Sequence, residues 1–356
     1  MRRSIDSAQR ARRPRGALLA TALVASACSS GPPTGPDPVP EPEEVMVPLT
    51  ELANGTYLGF VGGLYADGRN EPGGAHLAEG MARARAIRPL NVDGNPAPAG
   101  AYILLSIGMS NTTQEFCGGG SANACKPWTF MGQAAADPEV RRTGLVLIDG
   151  AKGGEPAAAW DAPNEANYDR VRDQVLAPQG FSEAQVQIAW IKQANPRPSA
   201  SLPDPDADAF VLLKELGEIV RALAIRYPNL QQVLLSSRVY AGFATTTLNP
   251  EPYAFESGFA VKWLVEAQAR QADTDQPDPA AGDLRYSTAP WLGWGPYLWA
   301  AGTTPRSDGL SWTREDFEGD GTHPSRSGEE KVGRQLLEFL KSAPYTRCWF
   351  VEGERC

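Results

Sequence analysis

The chain has 356 residues, 42% of them hydrophobic and 21% charged, with a net charge of −9. That is globular composition and enough chain for one large domain or two small ones. An acidic balance with no basic cluster beyond the first residues argues against nucleic acid as a partner.

The arginines that do cluster stand at the start. Arg2, Arg3, Arg10, Arg12, Arg13 and Arg15 precede an apolar run, residues 17–27, that ends at Cys28. A basic segment, a short apolar one and small residues at the exit predict a secretory signal, too short for a stable membrane span. The letters VASAC look like a lipoprotein box, which predicts Cys28 as a lipidated mature N-terminus and an extracytoplasmic, membrane-anchored bacterial protein. Residues 1–28 are thus read as signal. Residues 29–48, rich in proline and glutamate, cannot pack a core and predict a semi-rigid spacer. Residues 49–356 remain as a single folded domain.

Residues 45–93 are weakly patterned, with a short strand expected near 57–60 and a helix over 76–87. His76 opens that helix and reads as a surface or packing histidine. The patterning sharpens at 101–114, AYILLSIGMSNTTQ. Its apolar run over 102–107 predicts a buried strand that stops at Gly108 and delivers Ser110 to the edge of a sheet. Strands are also expected at 144–148, 186–190 and 233–235. Helices are expected at 164–176, 206–226, 256–272 and 327–341. Strands alternating with helices predict a parallel sheet covered on both faces, a three-layer α/β/α fold. Trp291, Trp294, Trp299 and Trp312, with Tyr297, lie in a segment broken by Gly and Pro. Those residues leave two readings open, a sugar-binding wall and ordinary packing of an insertion.

Four cysteines follow Cys28, an even number suited to an oxidising compartment. The pairs Cys117–Cys125 and Cys348–Cys356 are the simplest connectivity, since each closes a short loop, and the other two pairings stay open. A bridge at Cys117 would stiffen the loop after Ser110.

A serine hydroxyl needs a positioned base to become a nucleophile. The chain has two histidines, and His323 sits in EGDGTHPSRSG with Asp320 three residues before it. Asp316 and Glu318 are nearby alternatives for the carboxylate. Ser236 and Ser237, after a later strand, are alternative serines. No histidine or cysteine spacing suggests a metal, and no Gly-rich phosphate loop is present, so no cofactor is expected.

GMSN after a strand, with DGTHPS near the C-terminus, resembles the SGNH (GDSL-like) hydrolases. Met109 stands where that family has aspartate, or glutamine in the sialate O-acetylesterase and acetylxylan esterase branch that the block resembles more closely. The resemblance implies a flavodoxin-like sheet, Ser110 as nucleophile, His323 as base and Asp320 as its orienter. It also implies an oxyanion hole of the Ser110 N–H, a glycine N–H in DGAKGGEPAAAW (Gly154, with Gly153 as near alternative) and a side-chain amide. Asn195 suits one form of the third family block and Gln193 the other, and Ala194 stands between them in place of a glycine. Lys192 reads as a surface lysine or as a contact for an anionic substrate. The activity implied is hydrolysis of carboxylic esters, with O-acetyl groups on carbohydrates as the expected substrate. The alternatives are a general short-chain, lipase-like carboxylesterase and a non-catalytic carbohydrate-binding surface lipoprotein.

Overall fold

The computed structural model describes residues 45–119 and 124–356. The expected signal, the lipidation site Cys28 and nearly all of the spacer lie outside the described residues.

The described chain opens with a helical turn α1 (Leu49–Leu52) and a two-stranded hairpin, β1 (Thr56–Tyr57) and β2 (Phe60–Val61). A single strand was expected here. Leu58 and Gly59 both take positive φ, which reverses the chain between the two short strands. Helix α2 (Gly74–Ala86) then leads to β3 (Tyr102–Gly108), α3 (Ser110–Phe116) and α4 (Phe130–Ala136). Strand β4 (Leu145–Asp149) follows, then α5 (Ala166–Arg170), which runs on as a π-helical turn over Val171–Leu176. Strand β5 (Val186–Lys192), helix α6 (Asp208–Arg226) and strand β6 (Gln232–Ser236) come next. The chain closes with α7 (Tyr253–Thr274), β7 (Trp291–Trp294), α8 (Arg326–Ser342) and α9 (Pro344–Phe350).

Strands β3 to β7 form one parallel sheet in the order β4-β3-β5-β6-β7. All seven residues of β3 and of β5 are buried, as central strands covered on both faces must be. Ile103, Leu105 and Ile107 of β3 point to one core, shared with Leu212 and Leu216 of α6 and Phe259 of α7. Tyr102 and Leu104 point to the other, with Phe116 of α3, Phe130 of α4 and Leu336 of α8. This is the three-layer α/β/α arrangement expected.

The chain leaves β3 for a neighbour on one side, β4, and then crosses to β5 on the other side. Connections of opposite direction diverge there, and the carboxyl ends of β3 and β5 border a crevice where ligands bind in such sheets. The register brings those ends level, with Gly108 beside Lys192 and Lys192 beside Ser236.

Strand β7 was not expected. Its sequence, WLGW, has no polar alternation to mark it, because both faces are covered. Trp291 packs on Tyr345 and His76, while Trp294 faces the opposite core. Trp299 and Trp312 are buried as well. The tryptophans are therefore core, and the sugar-wall reading of this segment is set aside.

Candidate active site

Each of four adjacent strand ends hands one stretch to the same rim. Ser110 follows β3, Gly153 and Gly154 follow β4, Asn195 follows β5 and Arg238 follows β6. Ser110, Gly154, Asn195 and Arg238 line one cavity of about 120 Å³, together with His323 from the loop before α8.

The turn from β3 into α3 is tight. A Cβ at Gly108 would collide with Thr112 Oγ1 and the Lys192 carbonyl oxygen, so only glycine fits between the strand and the helix it launches. Thr112 Oγ1 donates to that carbonyl at 2.7 Å and fixes the helix against β5. Ser110 occupies the first turn of α3, where backbone N–H groups have no acceptor within the helix.

The histidine loop is fastened to this helix. Asn111 Nδ2 donates to the Thr322 carbonyl oxygen at 3.0 Å. Gly321 has φ +66°, and a Cβ there would run into the Phe243 carbonyl. The Thr245 N–H donates to the Asp320 carbonyl oxygen at 2.9 Å. The result is a continuous relay: Ser110 Oγ lies 2.8 Å from His323 Nε2, and His323 Nδ1 lies 2.6 Å from Asp320 Oδ2. Asp320 Oδ1 accepts from the backbone N–H groups of Thr322 (2.9 Å) and His323 (3.0 Å). Burial alone would raise the Asp320 carboxyl. The His323 ring and these two N–H groups outweigh it and hold the carboxyl below the ordinary aspartate range. An ionised Asp320 selects the tautomer with hydrogen on Nδ1, which leaves Nε2 free to accept the serine proton.

The alternatives fall away on position. Asp316 is buried and serves Thr313, Ser327 and Lys331, and Glu318 is exposed. Ser236 Oγ bridges the Trp190 indole and the Pro296 carbonyl, and the buried Ser237 hydroxyl has no partner among the described residues. His76 is buried between Tyr286, the Leu292 carbonyl and the Trp291 ring, and burial pushes it down to about 4.

For the oxyanion donors, Gly154 lines the cavity with φ +82°, whereas Gly153 does not line it. Asn195 lines it too, its Nδ2 donating to Glu215 Oε2 at 2.6 Å. The same amide also interacts with Asp208, so two carboxylates orient it at the wall. Gln193 is buried away from the cavity wall, and neither of its amide atoms has a partner among the described residues. Lys192 is not a surface residue: it is fully buried and paired with Glu115 of α3. Burial pushes Lys192 down to about 8 and Glu115 up, each opposed by the other's charge. This pair ties the helix that carries Ser110 to the end of β5 and does not line the cavity.

Both cysteine bridges, Cys117–Cys125 and Cys348–Cys356, are present, with Cα separations of 4.5 and 4.7 Å. Cys117 ends α3, so its bridge clamps the far end of the helix that begins at Ser110. Among the described residues no group of three His, Cys, Asp or Glu side chains is placed to hold a metal ion.

Sequence reasoning missed Arg238. It stands within an SSR run just past an apolar strand, and a charge at the end of a buried strand is the signal that could have drawn attention to it.

Fold and geometry define an α/β protein with a hydrogen-bonded serine–histidine–aspartate relay at the carboxyl edge of its parallel sheet. No known protein family's model matches the chain, and no curated protein matches it. Solved structures do match. A protein provisionally described as an SGNH hydrolase, from Slackia heliotrinireducens, is 15% identical, covering 68% of this chain and 100% of that one at a TM-score of 0.33. A carbohydrate acetylesterase from Xanthomonas citri is 10% identical, covering 68% and 56% at 0.37. An extracellular lipase from Streptomyces rimosus is 15% identical, covering 68% and 100% at 0.34.

Proposed function

We propose that the protein is a serine esterase that cleaves short-chain carboxylic esters, with O-acetyl groups on carbohydrates as its substrates. The observation that carries this reading is the unbroken relay from Ser110 through His323 to Asp320 at the wall of a cavity. Ser110 Oγ attacks the acyl carbon while His323 Nε2 takes its proton. The developing oxyanion is received by the N–H groups of Ser110 and Gly154 and by the Asn195 amide. His323 then protonates the departing alcohol, and an acyl-serine remains. Water, deprotonated by His323, attacks that ester and releases the acid and free Ser110.

Cavity size favours a small acyl group. About 120 Å³ is less than the roughly 150 Å³ that encloses a benzene molecule, which suits acetyl better than a long chain. A second reading, a general short-chain esterase, is favoured by the walls: Met109, Pro156, Ala194, Pro196 and Leu248 supply the apolar contacts, and among the described residues no Phe, Tyr or Trp takes part.

The test uses 4-nitrophenyl esters of increasing chain length and a fluorophosphonate label. We expect acetate to be cleaved faster than octanoate, with labelling at Ser110. Ser110→Ala should abolish the label and lower kcat by at least about 10⁴-fold. Turnover that survives in Ser110→Ala would refute the mechanism.

Export and anchoring complete the proposal. The basic start, the apolar run and VASAC support lipidation of Cys28. Mass analysis of the mature protein should find a diacylglyceryl group on Cys28 and nothing before it; an unmodified Cys28 in the mature chain removes the anchor.

A further inference from the structure

One charged side chain on the cavity wall has donors left over. Arg238 lines the cavity beside Ser110 and His323 and is only 1% exposed. Neither its Nε nor its Nη2 has an acceptor among the described residues. A guanidinium remains charged at any ordinary pH, and burying one without a partner is unfavourable. The carboxylates that act on it electrostatically are Glu115, Glu251 and Asp320. All three are committed elsewhere. Glu115 pairs with Lys192, and Asp320 holds His323. Glu251 accepts from the N–H groups of Ala241 and Phe255 and from the Trp299 indole. Glu155, the other charged residue on the wall, is bound by Lys152 and Asn167.

The two unspent atoms have a direction. Nε and Nη2 are neighbours on one edge of the guanidinium plane, the edge that grips both oxygens of a carboxylate side-on. On the same wall the buried Asn249 Oδ1 is an acceptor without a donor among the described residues. A carboxylate beside a hydroxyl complements this pattern: two donors meet the anion and one acceptor meets the hydroxyl.

We propose that Arg238 binds a carboxylate carried by the substrate, so that the protein acts on esters of acidic molecules, with Asn249 Oδ1 receiving a neighbouring hydroxyl. This rests on the esterase reading for the word substrate, although the anion site itself does not need catalysis.

Two pairs of esters test it, each pair differing in charge. In the first, 4-nitrophenyl hydrogen succinate is compared with 4-nitrophenyl butyrate, which puts the carboxylate on the acyl side. In the second, 4-acetoxybenzoate is compared with its methyl ester, which puts it on the alcohol side. We expect the charged member of one pair to be preferred in kcat/KM by on the order of 10- to 100-fold. Arg238→Met should erase that preference, and Arg238→Lys, which keeps the charge and loses the fork, should weaken it. Because Arg238→Met could misfold, binding is read separately in Ser110→Ala, titrated with glucuronate and with glucose. Glucuronate should bind more tightly, and rising salt should weaken it. Equal treatment of charged and neutral esters in both pairs, with no difference between the two sugars, overturns the proposal. Failure to hydrolyse any ester while glucuronate still binds through Arg238 would instead sink the esterase reading and leave the anion site standing.

Discussion

At the scale of single residues, the two candidate amides separate by two positions of chain. Asn195 is held at the cavity wall by Glu215, and burial raises that carboxyl. Gln193 faces away into the packed interior. We therefore expect Asn195→Ala to lower kcat by about 10²- to 10³-fold, the usual cost of one oxyanion donor. Gln193→Ala should act on stability and leave kcat within about threefold, since a buried amide without partners contributes little to the transition state. Steady-state kinetics beside urea titrations of both variants check this; a kcat loss in Gln193→Ala as large as in Asn195→Ala would reverse the assignment. Ser110, His323 and Asp320 were legible because a serine after a strand and an Asp-x-x-His turn are local patterns. Asn195 against Gln193 was not legible, because which amide reaches the rim depends on how the chain turns after β5. Arg238 could have been noticed as a charge after a buried strand, but its neighbours along the chain do not tell that its Nε and Nη2 will meet no acceptor among the described residues.

At the scale of elements, Asp149 joins three of them. It ends β4, is buried, and accepts from Ser106 Oγ of β3 at 2.6 Å and Thr113 Oγ1 of α3 at 2.5 Å. Burial pushes it up to about 6 against these hydroxyls. An unfolded aspartate titrates near 3.9. Between about pH 4 and 6 the folded chain therefore binds a proton that the unfolded chain has released. Stability is fully present below that window and declines as pH rises through it. Asp208, raised to about 6, works in the same direction, so only a comparison isolates Asp149. Urea titrations at pH 4 and pH 7 should find Asp149→Asn losing less stability than wild type over that interval, by on the order of 2 kcal/mol. An identical loss in both would show that the folded carboxyl is ionised throughout. Several elements were legible by periodicity. The long helix α6 was, because Leu213, Leu216, Ile219, Val220 and Leu223 recur on its buried side. The run WLGW was not, because a strand covered on both faces carries no alternation and its Gly resembles a loop.

At the scale of the whole molecule, the described chain is one α/β body with the serine–histidine–aspartate relay at the carboxyl end of its parallel sheet. Residues 213 positions apart, Ser110 and His323, come within hydrogen-bond distance because β3 and the loop before α8 end at the same rim. The two disulfides do not span this distance. Each ties residues eight apart, one at the end of α3 and one at the C-terminus. Packing of β3 and β5 between two apolar layers is what holds the rim together. The amino-acid order by itself determined the alternation of strand and helix, the parallel sheet, and the serine and its Asp-x-x-His partner, since backbone periodicity and short turns are local properties. Tertiary structure alone decided which amide faces the cavity, that Lys192 lies buried against Glu115, that the tryptophans form core, and that Arg238 keeps two donors free. Each of these depends on what stands opposite a side chain in space, and the neighbours that settle it come from distant parts of the chain.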